Sequence, residues 1–178
     1  MKEFLHCPYC GTRYRERETN PSRCTSCHSE TWRNPIPVAV ILQPIFLPDQ
    51  RIGLIGIRRR NTVQSGMISL PGGFVNFGET CQEAAAREAR EEANLSIDPS
   101  RIGLFDTANT DDGIILIFSI APPLHEKDLM DFVPNFEASE RLIINVQTPL
   151  AWPIHQRVCR LFFEGRTGAL LPLQGEHR

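Results

Sequence analysis

The 178-residue sequence lacks any long apolar run and any large excess of charge of one sign. Its apolar stretches fall short of the roughly 20 residues that a membrane-spanning helix needs. Its net charge of −2 argues against a general nucleic-acid-binding protein, because surfaces that follow phosphate backbones need an excess of Lys and Arg. No apolar signal core precedes the first cysteines. We therefore expect a soluble, cytoplasmic protein that binds neither membranes nor nucleic acid.

The sequence also lacks internal repeats and low-complexity tracts, and its length suits one compact catalytic domain with a small appendage. Residues 1–34 differ from the rest because they hold four of the six cysteines and almost no aliphatic residues. Such a segment cannot build an apolar core and needs another source of stability. Pro35 and Pro37 then favour an extended junction. We predict two domains, residues 1–34 and residues 35–178.

Two C-x2-C pairs lie in the first of these domains, Cys7 with Cys10 and Cys24 with Cys27. Each pair can present two thiolates from one tight turn, and two such turns complete a tetrahedral zinc site. The alternative is two disulfides or unused thiols, but reduced thiols in the cytoplasm favour a metal. We therefore predict a small zinc ribbon whose Zn²⁺ is structural, because four cysteines leave no open position for catalysis.

The rest of the sequence mixes strand and helix patterns. β-branched apolar runs indicate strands, and a proline at the first helical position indicates the start of the last helix. A proline-rich loop is expected at 122–135. Strands are expected at 38–42, 51–60, 102–108, 114–120 and 141–146, and helices at 80–93 and 153–164. Interspersed strands and helices predict an α/β sandwich.

The helix at 80–93 carries clear signals at both of its ends. Thr80 can be the N-cap, and Glu83 three residues later completes a capping box. Asn94 can end the helix in a left-handed conformation. Five alanines lie between these ends, and three of them share a face that can lie close against a sheet. This segment is the most strongly predicted helix of the chain.

Three glutamates of that helix, Glu88, Glu91 and Glu92, are neighbours at spacings i, i+3 and i+4. Such like charges repel one another, whereas Mg²⁺ or Mn²⁺ prefers carboxylate oxygens. The ordinary alternative is a solvated, charged helix face. A cation held there could neutralise a diphosphate, activate water and orient a leaving group. Arg87 is offset from this face and could pair with Glu83 or Glu79.

The stretch from Gly73 to Leu95 resembles the Nudix box, Gly-x5-Glu-x7-Arg-Glu-U-x-Glu-Glu-x-Gly-U, in which U is aliphatic. Every charged position matches, and Asn94 replaces the last glycine, which it can do because Asn tolerates the left-handed conformation. Ile68 stands where the family often has Trp, so an aromatic contact in that neighbourhood is an open question. The resemblance extends over residues 35–165. It implies a Nudix-type α/β/α sandwich with a mixed sheet, preceded by the small zinc ribbon.

The resemblance implies roles for several residues of the box. Glu88, Glu91 and Glu92 would bind the catalytic Mg²⁺ or Mn²⁺, and the backbone carbonyl of Gly73 would often join them.

Other residues would act around this metal site. Glu79 and Arg87 would pair and support the geometry of the loop and helix. The family often takes a base or an extra metal ligand from the region after the proline-rich loop, where Glu137 and Glu140 lie. Glu92 is another possible base, and Glu137 could instead contact the substrate.

Substrate contacts are less sharply indicated. Arg58 and Arg60 share a face near the end of a strand and could bind phosphate, with a solvent-facing strand end as the equal alternative. Several aromatic residues could stack on a base, although core packing is the default for each. These aromatic residues are Phe74, Phe77, Phe118 and Trp152.

A zinc ribbon ahead of a Nudix domain, as predicted here, resembles the arrangement in two groups of Nudix proteins. NADH pyrophosphatases carry a Ser-Gln-Pro-Trp-Pro-Phe-Pro-type stretch after the box, and this sequence has none. The FAD and ADP-ribose pyrophosphatase group fits better, because its ribbon leads into an Asn-Pro junction like Asn34-Pro35. We expect a metal-dependent hydrolase that cleaves a nucleoside-diphosphate-linked small molecule such as ADP-ribose or FAD, acting as a homodimer. The alternatives are an NADH/NAD pyrophosphatase and a non-catalytic nucleotide-sensing module.

Overall fold

A computed structural model describes residues 5–14 and 20–165. Within these ranges the chain forms two α-helices, α1 (Cys81–Ala93) and α2 (Pro153–Phe163), and eleven strands. The strands are β1 (Ser22–Arg23), β2 (Glu30–Thr31), β3 (Ile36–Leu42), β4 (Pro44–Phe46), β5 (Ile52–Arg59), β6 (Ile68–Ser69), β7 (Gly72–Phe74), β8 (Gly103–Asn109), β9 (Ile114–Ile120), β10 (Leu124–His125) and β11 (Ala138–Ile144). Neither helix is long and apolar enough to cross a membrane.

Two mixed sheets form the centre of the larger domain. The first has the order β10-β4-β5-β11, with β6 also paired to β5, and the second has the order β7-β3-β9-β8. β3 runs parallel to β9 and antiparallel to β7. Only Gln43 separates β3 from β4, so one continuous segment passes from the second sheet to the first.

The side chains of β3 show how the sheets are covered by a helix on each face. Successive strand residues point to opposite faces. Ala39 and Ile41 belong to the core under α1, whereas Val40 and Leu42 belong to the core under α2. The predicted α/β/α sandwich with mixed sheets is therefore confirmed.

The predicted ends of α1 are confirmed in detail. The Thr80 hydroxyl accepts a hydrogen bond from the Glu83 backbone, and the Glu83 carboxylate accepts one from the Thr80 backbone at 2.7 Å. Asn94 ends the helix with φ 53° and ψ 45°. Alanines at the buried face let the helix lie close to the sheets, where they are fully buried: Ala84, Ala85, Ala89 and Ala93.

Two predictions after α1 were wrong in their boundaries. The strand expected at 141–146 is Ala138–Ile144, because it pairs antiparallel with β5 and aligns Arg141 with Ile57. The loop expected at 122–135 contains the short strand β10 and a turn of 3-10 helix at Glu126–Asp128. The earlier start of β11 matters for the site, because it fixes the residue just before it, Glu137, beside the end of β5.

Candidate active site and metal centres

The four ribbon cysteines converge on one point. Their sulfurs lie within 4.8 Å of one another, and the closest approaches are 3.6 Å between Cys7 and Cys27 and 3.5 Å between Cys10 and Cys24. None of the four is in a disulfide. In a tetrahedral site with Zn–S distances of about 2.3 Å, the sulfurs would lie about 3.8 Å apart. The donor set and its spacing therefore fit a zinc ion.

Two similar turns position these sulfurs. Gly11 follows the first pair with φ +73°, and His28 holds the matching place after the second pair with φ 59°. The amide of Gly11 bonds the carbonyl of Cys7 at 2.9 Å, and the amide of His28 bonds that of Cys24 at 3.1 Å. The backbone thus repeats one turn twice, with a residue in the left-handed region at the same place in each turn.

A second group of possible metal ligands lies on α1 and just before β11. Carboxylate oxygens of Glu88, Glu92 and Glu137 lie within 4.8 Å of one another. Glu88 and Glu92 are buried, with only 7% and 3% of their surface exposed, while Glu137 is exposed. Burial raises the pKa of both buried carboxyls, that of Glu92 to about 8. A hard divalent cation fits this oxygen donor set and would favour the ionised carboxylates.

Two glycines bring the backbone of β7 against these carboxylates. The Gly72 amide donates a hydrogen bond to Glu92 Oε2 at 2.8 Å. A Cβ at Gly73 would lie 2.6 Å from the carboxylate carbon of Glu88, and a Cβ at Gly72 would lie 2.8 Å from Val40 Cα. The obstacle at Gly72 is the backbone of β3, so no side chain fits there, whereas a side chain at Gly73 would displace the Glu88 carboxylate.

Arg87 ties the loop before α1 to the helix. Its guanidinium bonds both carboxylate oxygens of Glu79, the Phe74 carbonyl at 2.8 Å and Glu88 Oε1 at 2.6 Å. The hydrogen bonds from Arg87 lower the pKa of Glu79 to about 2. Of the two partners that the sequence allowed for Arg87, the structure has Glu79, whereas Glu83 forms the capping box with Thr80.

Glu91 is placed differently from its two neighbours. Its side chain is 51% exposed and its carboxylate bonds Arg87 Nη1 at 3.2 Å. The same Nη1 contacts Glu88, so the two carboxylates lie near each other, but Glu91 is outside the three-carboxylate group. The expected convergence of Glu88, Glu91 and Glu92 on one spot is therefore found for two of them, and Glu137 supplies the third carboxylate.

The structure separates Glu140 and Arg58 from the acidic group. Arg58 Nε donates to Glu140 Oε2 at 2.8 Å, and both side chains are substantially exposed. Arg60 is exposed, and its backbone amide bonds the Glu137 carbonyl at 2.6 Å. Arg58 is thus paired with Glu140, which is not a member of the three-carboxylate group, while the Arg60 amide holds Glu137 in place.

Arg59, between them, is the arginine that sequence reasoning missed. Its guanidinium lies 4.6 Å from the ring centre of Trp152, and its Nε donates to the Val63 carbonyl at 2.8 Å. Burial lowers its pKa, while the charges of Glu92 and Glu137 raise it. No ion pair of Arg59 is found among the described residues. The only sequence feature that could have singled out Arg59 was strand alternation, which directs its side chain to the other face of the sheet from those of Arg58 and Arg60.

A cavity of about 460 Å³ adjoins Arg59 on the α2 side of the second sheet. Its floor is apolar and comes from β3 and β9, and Gly72 and Gly73 form the wall nearest the carboxylates. Phe74 and Trp152 also line it, whereas Phe118 is fully buried and Phe77 is fully exposed. Trp152 reaches this region because the Ala151 amide bonds the Ile68 carbonyl at 2.8 Å. An aromatic side chain near position 68 is thus supplied from another part of the chain.

Comparison with known proteins agrees with this geometry. A model of the NUDIX domain matches residues 35–132. An ADP-ribose pyrophosphatase from Methanocaldococcus jannaschii is 46% identical over 57 residues, which are 32% of this chain and 32% of that protein. The chain therefore aligns with about a third of the length of this curated relative.

Solved structures show the same fold. A NUDIX hydrolase from Nitrosomonas europaea superposes with a TM-score of 0.67 at 22% identity, covering 92% of each chain. The NUDIX domain of Shewanella oneidensis NrtR, complexed with ADP ribose, gives a TM-score of 0.61 at 18% identity, covering 76% of this chain and 91% of that one. The family model matches more than half of the sequence, and the chain therefore belongs to the NUDIX family.

Proposed function

We propose that this protein is a metal-dependent hydrolase that cleaves the diphosphate of a nucleoside diphosphate linked to another group. The observation that carries this proposal is the group formed by Glu88, Glu92 and Glu137, whose carboxylate oxygens lie within 4.8 Å of one another beside the Gly72–Gly73 backbone. A Mg²⁺ or Mn²⁺ ion bound there would neutralise charge on the diphosphate and lower the pKa of a bound water.

The residues of the chain have separate roles in this proposal. Glu88 and Glu92 would hold the cation from α1 together with the Gly73 carbonyl, and the exposed Glu91 could add a further carboxylate. Glu137 is at the rim of the group and exposed, so it can act as a further ligand or accept a proton from the attacking water. Glu140 is bonded to Arg58, so we assign these roles to Glu137 in preference to Glu140.

Arg59 takes the phosphate-binding role that was expected of Arg58 or Arg60. Its two terminal nitrogens make no hydrogen bond within the described residues, and its charge lies in the field of Glu92 and Glu137. A half-buried guanidinium without a carboxylate partner is well suited to bind an oxyanion. Stacking on Trp152 and the bond to the Val63 carbonyl hold the side chain in place without using those nitrogens.

ADP-ribose and FAD are the substrates that we propose first. Both join an adenosine diphosphate to a second group, and the cavity beside Arg59 can take one end of such a molecule. The partial match to an ADP-ribose pyrophosphatase supports this choice.

We further propose that the ribbon cysteines hold a structural Zn²⁺ and that residues 1–34 and 35–178 are separate domains. A homodimer and a cytoplasmic location stay predictions.

The proposal is tested by a hydrolysis screen with Mg²⁺ and with Mn²⁺. The panel contains ADP-ribose, FAD, NADH, coenzyme A, nucleoside triphosphates and diadenosine polyphosphates. We expect turnover of at least one compound with a diphosphate bridge, and a loss of about a hundredfold or more in kcat for Glu92→Gln. The matched control is Glu30→Gln, which changes an exposed glutamate of the ribbon strand β2.

Two outcomes would contradict the proposal. If no compound is hydrolysed, although ADP-ribose binds, the protein is a nucleotide-sensing module rather than an enzyme. If Glu92→Gln turns over substrate at the wild-type rate with the same metal dependence, the three-carboxylate group is not the catalytic metal site. Glu137→Gln and Glu140→Gln, measured side by side, decide which of the two late carboxylates takes part.

A further inference from the structure

The cavity next to Arg59 contains a buried polar side chain that the proposed chemistry does not use. His155, in the first turn of α2, is 5% exposed and lines this cavity. Its Nδ1 is buried and has no hydrogen-bond partner among the residues that the structure describes. A buried nitrogen without a partner costs free energy, so an apolar residue would serve packing better at this position. The imidazole therefore indicates a recognition role.

The surroundings of His155 keep its ring uncharged. Phe118 meets it edge-on with ring centres 5.5 Å apart, and Trp152 lies 4.9 Å away. The charged residues that line the cavity are Arg59 and Asp112. Burial, and then the charge of Arg59, lower the pKa of His155 to about 4. A neutral imidazole offers one donor and one acceptor, which suits an uncharged heterocycle better than a phosphate.

The shape of the cavity fits the same kind of ligand. Its strands place Val40 opposite Gly72 at one end, and Ile114 opposite Ile36 four residues away along β3, a span of about 13 Å. This length accommodates a nucleoside, and the apolar floor favours a flat ring. His155 lies at the end near Gly72, because it contacts Phe118, which pairs with Val40.

We propose that this cavity binds the nucleobase of the substrate and that His155 is the residue that selects the base. The inference rests on the proposed function, because it assigns the nucleoside half of the proposed substrate to this cavity. Arg59 lines this cavity and interacts electrostatically with Glu92 and Glu137, so the diphosphate attached to the nucleoside would reach the metal site past its guanidinium.

Binding of nucleosides without metal tests this inference independently of hydrolysis. The chain has two tryptophans, so a Trp32→Phe background leaves Trp152 in the cavity wall as the single fluorescent reporter. Adenosine, guanosine, cytidine, uridine and, as a base-free ligand, ribose are titrated into this protein. We expect one nucleoside to change the Trp152 emission at the lowest concentration and ribose to change it at none.

Substitution of His155 then decides its role. His155→Phe should weaken binding of the preferred nucleoside at least about tenfold and reduce the differences among the four nucleosides. The matched control is Val158→Ala, one turn later on α2, which is fully buried but outside the cavity lining. His155→Leu provides the same comparison if the Phe variant does not fold.

Three results separate this inference from the proposed function. Failure of all four nucleosides to bind, or equal affinities in wild type and a folded His155 variant, would overturn the base-selecting role. Base-dependent binding that is lost with His155, in a protein that hydrolyses nothing, would support the cavity assignment and reject only the enzyme. Hydrolysis rates that differ between ADP-glucose and UDP-glucose in wild type, and become similar in His155→Phe, would support both.

Discussion

Arg87 and Glu79 form a two-point ion pair, with Nε 2.7 Å from Oε1 and Nη2 3.0 Å from Oε2 of the carboxylate. Glu79 also accepts a bond from the Asn76 amide at 2.9 Å, so this pair connects the loop after β7 to the middle of α1. The same guanidinium contacts Glu88. The pair therefore holds the loop and a carboxylate of the proposed metal site in one arrangement.

We expect Glu79→Gln to lower kcat by about tenfold to a hundredfold, because the amide keeps the shape but loses the ion pair that positions Arg87. KM should change less, since Glu79 does not line the cavity. Steady-state kinetics on the substrate found in the screen will measure both constants. Unchanged kcat would show that the pair does not position the site.

The same variant carries a prediction on stability and pH. The pKa of Glu79 is lowered to about 2 by its bonds to Arg87, so the folded state favours the ionised carboxylate. The stabilisation is fully present above the unfolded-state pKa of roughly 4.3 and is lost as pH falls towards 2. Urea unfolding should show wild type more stable than Glu79→Gln at pH 7 and the two equal near pH 2. A constant difference across this range would contradict the ion-pair origin.

Gly73→Ala should damage the metal site through Glu88. The added Cβ would lie 2.6 Å from the Glu88 carboxylate carbon, so the side chain must move. We expect weaker Mn²⁺ binding, measured by titration calorimetry, and a fall in kcat of about tenfold or more. A double-mutant cycle on the free energy of unfolding supplies the control: Gly73→Ala should lower stability in the wild-type background and change it little in a Glu88→Ala background. Equal losses of stability in both backgrounds would show that the clash is with the backbone and not with Glu88.

The parts of this site that could be predicted from sequence are local ones. The cap formed by Thr80 and Glu83, the left-handed end at Asn94 and the pairing of Arg87 with Glu79 all depend on residues within one short segment. Local spacing fixes such contacts because helix geometry repeats regularly. The family pattern adds the glycine turn before the helix. These expectations agree with the structure.

The parts that could not be predicted depend on distant segments. Glu137 joins the acidic group because β11 begins at Ala138 and the Arg60 amide holds the Glu137 carbonyl. Arg59 faces the cavity because Trp152, more than ninety residues later, covers its guanidinium. No periodicity in the sequence encodes either contact. Strand alternation predicts that Arg59 points to the opposite face of the sheet from Arg58 and Arg60. It does not show which of the two faces borders the cavity.

The ribbon should contain about one zinc ion per chain. Four sulfurs within 4.8 Å of one another satisfy a tetrahedral ion completely. Elemental analysis after purification will measure the ion, and Cys24→Ser should lose it because one of the two buried ligands is removed. The carboxylate site lies on other elements, so most of the hydrolytic activity should remain if the larger domain stays folded. Retention of zinc by the variant would contradict the four-cysteine site.

The stability of the folded protein should depend on His155 below pH 6.5. Burial lowers the pKa of this histidine to about 4, so the ring stays neutral in the folded state while the unfolded chain takes up a proton. The unfolded state then binds more protons between pH 6.5 and 4, and stability falls as pH decreases through this window. At pH 7 both states are neutral and the effect is absent. The shift corresponds to roughly 3 kcal/mol once pH is below 4.

His155→Phe removes this titration. We therefore expect its stability relative to wild type to rise as pH falls from 7 to 4, by up to about 3 kcal/mol in urea unfolding. His125→Gln, which changes an exposed histidine at the end of β10, is the matched control and should follow the wild-type profile. Parallel profiles for wild type and His155→Phe would mean that the folded protein admits a proton or solvent to this ring. The cavity wall around His155 would then be more open than its burial indicates, and the neutral imidazole on which base selection depends would be lost with it.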